Sequence, residues 1–101
     1  MSEQEKMTDE EIREGLQSLP GWRHDGERLV RVYRFHDFSE AFGFMARAAL
    51  AAEKADHHPD WSNSRATVTV HLTTHDAGGV TELDLDLARD FERLASTPPE
   101  A

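Results

Sequence analysis

Cysteine is absent from the chain, and cationic side chains are scarce. Without cysteine, disulfides and thiolate metal sites are excluded, and the composition fits a reducing compartment. Eleven Lys and Arg stand against twenty Asp and Glu, which gives a formal net charge of −9. Nucleic-acid backbones and anionic membranes both select clustered cations, so this balance disfavours them. We therefore expect no direct nucleic-acid partner and no membrane partner.

Long apolar runs are also missing. Residues 48–52 form the longest nearly apolar stretch, which is far too short to cross a bilayer. Residues 1–7 are polar, so no signal peptide is predicted and a cytoplasmic location is expected. The 101 residues predict one domain over 7–96 with flexible ends at 1–6 and 97–101. Because so small a core is only modestly stable, we also expect a homodimer or homotetramer.

Three helices are predicted from capping residues and apolar spacing. Thr8, Asp37 and Thr81 each precede a helical pattern, and Pro59 ends the second helix at or before His58. The residues expected on the inner faces are Ile12, Leu16 and Leu19 in the first helix, Phe38, Ala41, Phe42, Met45, Ala48, Ala49 and Ala52 in the second, and Leu83, Leu87, Phe91 and Leu94 in the third.

Alternating residues between the helices predict strands. A short strand opens at Trp22 and returns over residues 29–35. Residues 61–63 have the character of a turn, and residues 66–74 form the next strand. The core face of that strand is predicted to carry Ala66, Val68, Val70 and Leu72. The fold class expected is α+β, an antiparallel four-stranded sheet with helices packed on one face in the order α-β-β-α-β-β-α.

Residues 53–61 concentrate the polar chemistry, with two adjacent histidines, three carboxylates and a tryptophan. On a helix, Glu53 and His57 share a face, so the carboxylate would orient the imidazole and favour its charged form. His58 is rotated by about 100° and has a different role. Histidine titrates near neutrality, which suits proton transfer. The alternative is structural, because histidines also interact well with the negative end of a helix.

A second polar cluster follows the strand predicted over 66–74. Thr74, His75 and Asp76 stand at its end, where functional groups are often mounted, and Gly78 and Gly79 come next. Turn hydrogen bonds through Thr74 and Asp76 are the alternative explanation. For Asp84, capping of the last helix together with Thr81 is the favoured explanation.

Other chemistries find less support in the sequence. Histidines and carboxylates are ligand types for zinc or iron, but no HExxH spacing is present and adjacent histidines on a helix point apart, so we expect no metal. No glycine-flanked serine and no phosphate-binding glycine loop occurs. Proton transfer, or binding, at a small histidine-lined site is what remains.

These residues resemble the pterin-4a-carbinolamine dehydratase family. The resemblance rests on Glu-x3-His-His-Pro over residues 53–59, followed at fixed distances by His75 and Asp76. The segments 19–22 and 38–45 are also similar, and the resemblance runs from about residue 22 to residue 94. Arg65 departs from the pattern, because the family usually carries an aromatic residue there.

The resemblance implies a reaction and a set of roles. The reaction is dehydration of 4a-hydroxytetrahydropterin to quinonoid dihydropterin, which recycles the pterin of aromatic amino-acid hydroxylases; the pterin is the substrate and no cofactor is needed. His57 and His75 are implied as acid–base groups and His58 as a binding group. Glu53 and Asp84 would orient or charge-balance histidines. The other residues implied near the substrate are Asp56, Trp61, Ser62, Thr74 and Asp76.

A non-catalytic function remains open beside the enzymatic one. Relatives of this fold resemble a protein that stabilises a transcription-factor dimer, and others resemble assembly factors. The alternative is therefore a dimerisation or assembly module of the same fold. Such a module does not need Glu53 or the histidines at 57, 58 and 75, although it could retain them from an enzymatic ancestor.

Overall fold

The computed structural model describes residues 5–96, so most of the predicted flexible ends lies outside the described residues. The helices are α1 (Asp9–Gly15), α2 (Phe38–Ala55) and α3 (Glu82–Ala95), with short 3-10 turns at Leu16–Ser18 and His75–Ala77. The strands are β1 (Arg23–His24), β2 (Leu29–Arg34), β3 (Asp60–Ser64) and β4 (Thr67–Leu72). They form one antiparallel sheet in the order β1-β2-β4-β3. The predicted fold class and element order are confirmed.

The helices pack on the sheet face that carries Tyr33, Val70 and Trp61. Tyr33 contacts Phe44 of α2 with ring centroids 4.8 Å apart, and Trp61 stacks on Phe91 of α3 at 6.3 Å. The predicted core residues Val68, Val70 and Leu72 of β4 are fully buried. Ala66 is only half-buried and precedes the strand, which is two residues shorter at its end than predicted.

All three predicted caps are confirmed. Thr8 forms a capping box with Glu11, Asp37 accepts from the backbone N–H of Glu40, and Thr81 forms a capping box with Asp84. These side chains satisfy backbone donors that have no partner within the helix.

The predicted inner face of α2 is partly wrong. Ala41, Ala48 and Ala52 are buried as expected, but Phe44 is buried with them, while Phe38 and Phe42 are 55% and 59% exposed. The helix is apolar around most of its circumference, so apolar spacing alone does not select the buried stripe. The first helix is shorter than predicted, because Leu16 lies in the 3-10 turn after α1 and Leu19 follows that turn. Ile12 and Leu19, and Leu87 and Phe91 of α3, are buried as predicted. Leu16, Leu83 and Leu94 are half-buried, and the buried Leu85 of α3 was missed.

Residues 61–63 form part of β3, so their predicted turn is wrong. The turn falls two residues later, where Arg65 adopts a left-handed backbone with φ 56°. The side-chain amide of Asn63 donates to the carbonyls of Arg65 and Thr67, both at 2.9 Å. Arg65 is exposed there, at the end of the hairpin remote from Asp60, so its departure from the family pattern leaves the core of this chain untouched.

None of the helices in the described part of the chain is long and apolar enough to cross a membrane.

Candidate active site

Helix α2 ends before the histidine pair rather than within it. Asp56 adopts the left-handed conformation with φ 55° and ψ 40°, and its backbone N–H donates to the carbonyls of Ala52 and Glu53. Aspartate tolerates this conformation better than most residues, and it is a common way to end a helix. The backbone N–H of His57 then donates to the carbonyl of Ala52 at 3.1 Å. The chain therefore changes direction at Asp56.

This change of direction makes the predicted pairing of Glu53 with His57 wrong. Glu53 instead contacts His58, with Oε1 lying 3.0 Å from Nε2. Both side chains are well exposed, at 79% for Glu53 and 57% for His58. Water screens a pair of this kind, so it contributes little to folding stability.

His57 turns inward and contacts Asp84 of α3. Its Nε2 lies 2.5 Å from Oδ1 of Asp84, and the side chains are 11% and 0% exposed. The predicted capping role of Asp84 is also correct, because its Oδ2 accepts from the backbone N–H of Thr81 at 2.9 Å. One buried carboxylate therefore serves both the helix cap and the histidine.

Further donors surround the Asp84 carboxylate. The hydroxyl of Thr74 donates to Oδ2 at 2.8 Å, and the Thr74 and Thr81 hydroxyl oxygens lie 2.8 Å apart. Asp84 also stands in the first turn of α3, where the positive end of the helix dipole favours a negative charge. The hydroxyl of Thr74 is thus engaged inside the protein, and the contact predicted between Thr74 and the substrate would have to use its other atoms.

His75 lies on the 3-10 turn after β4. The turn is closed by Gly78, whose φ of 77° is the left-handed conformation that glycine adopts readily. The His75 side chain is 81% exposed, and its Nε2 lies 3.8 Å from Oδ2 of Asp60, also exposed. His75 is therefore available to solvent and to a ligand.

The three histidines line one depression of about 280 Å³. Its other lining residues are Asp56, Thr73, Thr74 and Asp76. This volume is just below the roughly 300–1,000 Å³ usual for ligand pockets. A groove of about 750 Å³ adjoins it and shares Thr73 and His75 as lining residues. A ligand larger than the depression has room to extend into that groove.

Four predicted site residues lie outside the lining of the depression. Glu53 and Asp84 contact His58 and His57 respectively. Trp61 is half-buried against Phe91, and Ser62 is exposed on β3. Thr73 lines the depression but was not singled out from the sequence; its place beside His75 in the alternating pattern was the available signal.

Metal ligation has no geometric support among residues 5–96. Within that part of the chain, no group of three or more His, Cys, Asp or Glu side chains is arranged to hold a metal ion. The residues that the fold brings together here are histidines, carboxylates and threonines.

Comparison with known proteins gives a consistent result over nearly the whole chain. The family model described as Pterin 4 alpha carbinolamine dehydratase matches residues 5–94. A Rhodopseudomonas palustris (strain BisB18) protein named "Putative pterin-4-alpha-carbinolamine dehydratase" is 55% identical over 93 residues, which covers 90% of this chain and 92% of the relative. A Bradyrhizobium diazoefficiens protein of the same name is 50% identical over 97 residues, covering 94% of this chain and 97% of the relative.

A solved structure shares the fold. A crystal structure described as a transcriptional coactivator/pterin dehydratase from Brucella melitensis superposes with a TM-score of 0.87 at 50% sequence identity. The match covers 90% of this chain and 99% of the other.

Proposed function

Because the chain belongs to the pterin-4a-carbinolamine dehydratase family of hydro-lyases, we propose that His57 and His75 perform the proton transfers that remove water from 4a-hydroxytetrahydropterin. The observation that carries the proposal is the contact of His57 with the fully buried Asp84 at 2.5 Å. A buried carboxylate behind a partly exposed imidazole orients the ring for proton transfer.

The contact with Asp84 also decides which ring nitrogen of His57 is available. A carboxylate oxygen only accepts hydrogen bonds, so Nε2 of His57 must carry a proton to bond with Oδ1. Nδ1 is then the nitrogen that gains or loses a proton during the reaction. We assign these hydrogen positions from the bonding network.

The reaction needs two proton transfers at neighbouring atoms of the pterin. The C4a–O bond breaks as the hydroxyl is protonated and leaves as water. The proton on N5 is removed, and its bonding electrons form the C4a=N5 double bond of the quinonoid dihydropterin. His57 and His75 line the same depression, from the end of α2 and from the turn after β4, which supports the proposal that they serve the two atoms.

His58 is better suited to binding than to proton transfer. Its partner Glu53 is exposed and lies on the last turns of α2, so the pair forms a polar rim beside the depression. Asp56 and Asp76 line the same depression and offer acceptors to the amino and ring N–H groups of a pterin.

The family resemblance also suggests a metabolic setting. Aromatic amino-acid hydroxylases generate 4a-hydroxytetrahydropterin, so the dehydratase would return the pterin to their cycle. The absence of cysteine fits the reducing cytoplasm that we propose as its location.

A homo-oligomer is supported by an apolar face on α2. Phe38, Phe42 and Leu50 are 55%, 59% and 72% exposed, and the two phenylalanine rings contact each other at 6.0 Å. Exposed apolar groups concentrated on one helix are typical of interfaces. We propose that this face, defined by Phe38, Phe42 and Leu50, joins copies of the chain into a dimer or tetramer.

A second function is favoured by the solved relative. The Brucella melitensis protein carries the description transcriptional coactivator as well as pterin dehydratase. The same α2 face is a candidate surface for a non-catalytic dimerisation role in this chain.

Rapid-mixing assays test the catalytic proposal directly. The carbinolamine is generated chemically, and its disappearance is followed by absorbance with and without the purified protein. Saturable acceleration over the spontaneous rate is expected. A rate that does not depend on protein concentration would favour the binding role.

A further inference from the structure

Two buried threonine hydroxyls lie behind the depression, and the dehydration chemistry described above does not use them. Thr81 is fully buried and Thr74 is 8% exposed. Their hydroxyl oxygens are 2.8 Å apart, and the Thr74 oxygen is also 2.8 Å from Oδ2 of Asp84. The direction of the hydrogen bonds among Thr74, Thr81 and Asp84 indicates the function of the two threonines.

The hydrogen bonds of the two threonines run in one direction. The Asp84 carboxylate can only accept, so the single hydroxyl proton of Thr74 points to Oδ2. Thr81 must therefore donate its own proton to the oxygen of Thr74. The oxygen of Thr81 accepts in turn from the backbone N–H of Leu83 at 3.2 Å. The chain of bonds leads from the start of α3 to the carboxylate that contacts His57.

The backbone of Thr74 supports the second histidine. Its carbonyl accepts from the backbone N–H groups of Ala77 and Gly78, both at 3.0 Å, and its own N–H donates to the carbonyl of Gly79 at 3.0 Å. These bonds close the turn that carries His75. One residue thus supports His57 through its side chain and Asp84, and His75 through its main chain.

We propose that Thr81 is a positioning residue for proton transfer, which rests on the function proposed above. Its hydroxyl fixes the direction of the Thr74 hydroxyl, which holds Asp84 against His57. Capping of α3 requires only that the Thr81 hydroxyl oxygen accept from the backbone N–H of Leu83 and that Asp84 accept from the backbone N–H of Thr81. The link between Thr81 and Thr74 is additional, and it joins the helix cap to both walls of the depression.

Three substitutions separate positioning from capping. Thr81→Val keeps the shape of the side chain but removes the hydroxyl, and Thr81→Ser keeps the hydroxyl. Thr8→Val removes the equivalent cap from α1, which has the same capping box. Loss of either cap is expected to lower Tm by about 4–8 °C.

Turnover separates the two roles. We expect Thr81→Val to lower kcat about tenfold with KM within about twofold, because one hydrogen bond to the proton-transfer apparatus is lost. Thr81→Ser should restore kcat to within about twofold of wild type, and Thr8→Val should leave kcat unchanged. Equal kcat in wild type and Thr81→Val would reduce Thr81 to a helix cap. Equal losses in Thr81→Val and Thr81→Ser would show that the hydroxyl is not the cause.

Thr74→Val tests the same proposal if Thr81→Val fails to fold. It breaks the same series of hydrogen bonds and leaves the α3 cap intact. We expect a comparable loss of kcat. In the double variant the losses should be less than additive, since both substitutions interrupt one chain of bonds. Fully additive losses would contradict the directed chain.

Ring ¹⁵N NMR of His57 tests the positioning without any turnover. Above the titration range of the ring, wild type and Thr81→Ser should show the Nε2–H tautomer, and Thr81→Val a mixture of tautomers. Unchanged tautomers in Thr81→Val would overturn the proposal. If wild type shows no dehydratase activity while the tautomers respond as expected, the catalytic function fails and the positioning of His57 by Thr81 stands.

Discussion

Glu53 contacts His58 and not His57, with Oε1 of the carboxylate 3.0 Å from Nε2 of the imidazole. The pair is exposed, whereas His57 is held by the buried Asp84. The adjacent histidines therefore have opposite environments, one screened by water and the other anchored in the protein. This difference is the reason why we propose His58 as a binding group and His57 as a proton-transfer group.

The exposed pair should act on substrate binding. We expect His58→Ala to raise KM about tenfold, the loss of roughly one hydrogen bond to the pterin, with kcat within about threefold of wild type. Glu53→Gln should change KM less than about threefold, because exposed ion pairs contribute little. Steady-state dehydration kinetics check both values. A large fall in kcat with unchanged KM in His58→Ala would assign proton transfer to His58.

The buried carboxylate should control kcat. Asp84→Asn replaces an acceptor with a side chain that can donate an N–H to Nε2 of His57, which favours the wrong tautomer of the ring. We expect kcat to fall on the order of 10²–10⁴-fold, as for other histidines whose orienting carboxylate is replaced. Asp86→Asn, an exposed change on the same helix, is the matched control and should retain wild-type kcat. An Asp84→Asn variant that is folded and fully active would remove Asp84 from the mechanism.

The change of direction at Asp56 explains why the sequence led to the wrong partner for Glu53. Periodicity locates α2 correctly, and Pro59 correctly limits its length. The sequence does not reveal that Asp56 adopts a left-handed conformation, because aspartate also occurs inside helices. Because the helix ends at Ala55, His57 leaves the face that it was predicted to share with Glu53 and contacts α3 instead.

The contact between His57 and Asp84 was similarly hidden, since the two residues are brought together only by the packing of α2 against α3. The sequence correctly located the cap at Thr81 and, through the family resemblance, associated Asp84 with the histidines. Local patterns thus predicted the capping geometry, and tertiary packing supplied the second contact of the same carboxylate.

Glu92 joins α3 to the sheet and should make folding stability depend on pH. Its Oε2 accepts from Tyr33 at 2.6 Å, Arg31 at 2.8 Å and Trp22 at 3.0 Å. Burial tends to raise the pKa of Glu92, but the hydrogen bonds from Tyr33, Arg31 and Trp22 outweigh it and lower this pKa below its usual value. Burial raises the pKa of Tyr33, and the hydrogen bond to Glu92 raises it further. Tyr33 therefore stays protonated.

Glu92→Gln should therefore destabilise the fold by about 1–3 kcal/mol at pH 7. The pKa of Glu92 is lower in the folded protein than in the unfolded chain. Its contribution to folding stability is therefore fully present above the pKa of the unfolded state, and it is lost as the pH falls through the pKa of the folded state. Urea unfolding followed by tryptophan fluorescence should show the difference between wild type and variant shrinking from pH 7 toward pH 3. Glu27→Gln, an exposed change between β1 and β2, should show neither effect. A difference that is constant with pH would contradict this role of Glu92.

The apolar face of α2 should hold copies of the chain together. We expect Leu50→Glu to convert a dimer or tetramer into a smaller species, because a charge placed in an apolar interface is costly to bury. Light scattering coupled to size exclusion gives the mass, and circular dichroism verifies the fold. Gln17→Glu adds the same charge to an exposed position in the 3-10 turn after α1 and should leave the mass unchanged. Wild-type protein that runs as a monomer at all concentrations would exclude the interface.

The most direct measurement is the rate of carbinolamine dehydration by wild type, His57→Ala and His75→Ala in a rapid-mixing experiment. His36→Ala changes an exposed histidine outside the depression and serves as the matched control. We predict that His57→Ala and His75→Ala each lose on the order of 10²–10⁴-fold in kcat, the usual contribution of one general acid or base, while His36→Ala keeps the wild-type rate. If both variants are folded and retain the full rate, proton transfer by His57 and His75 is contradicted.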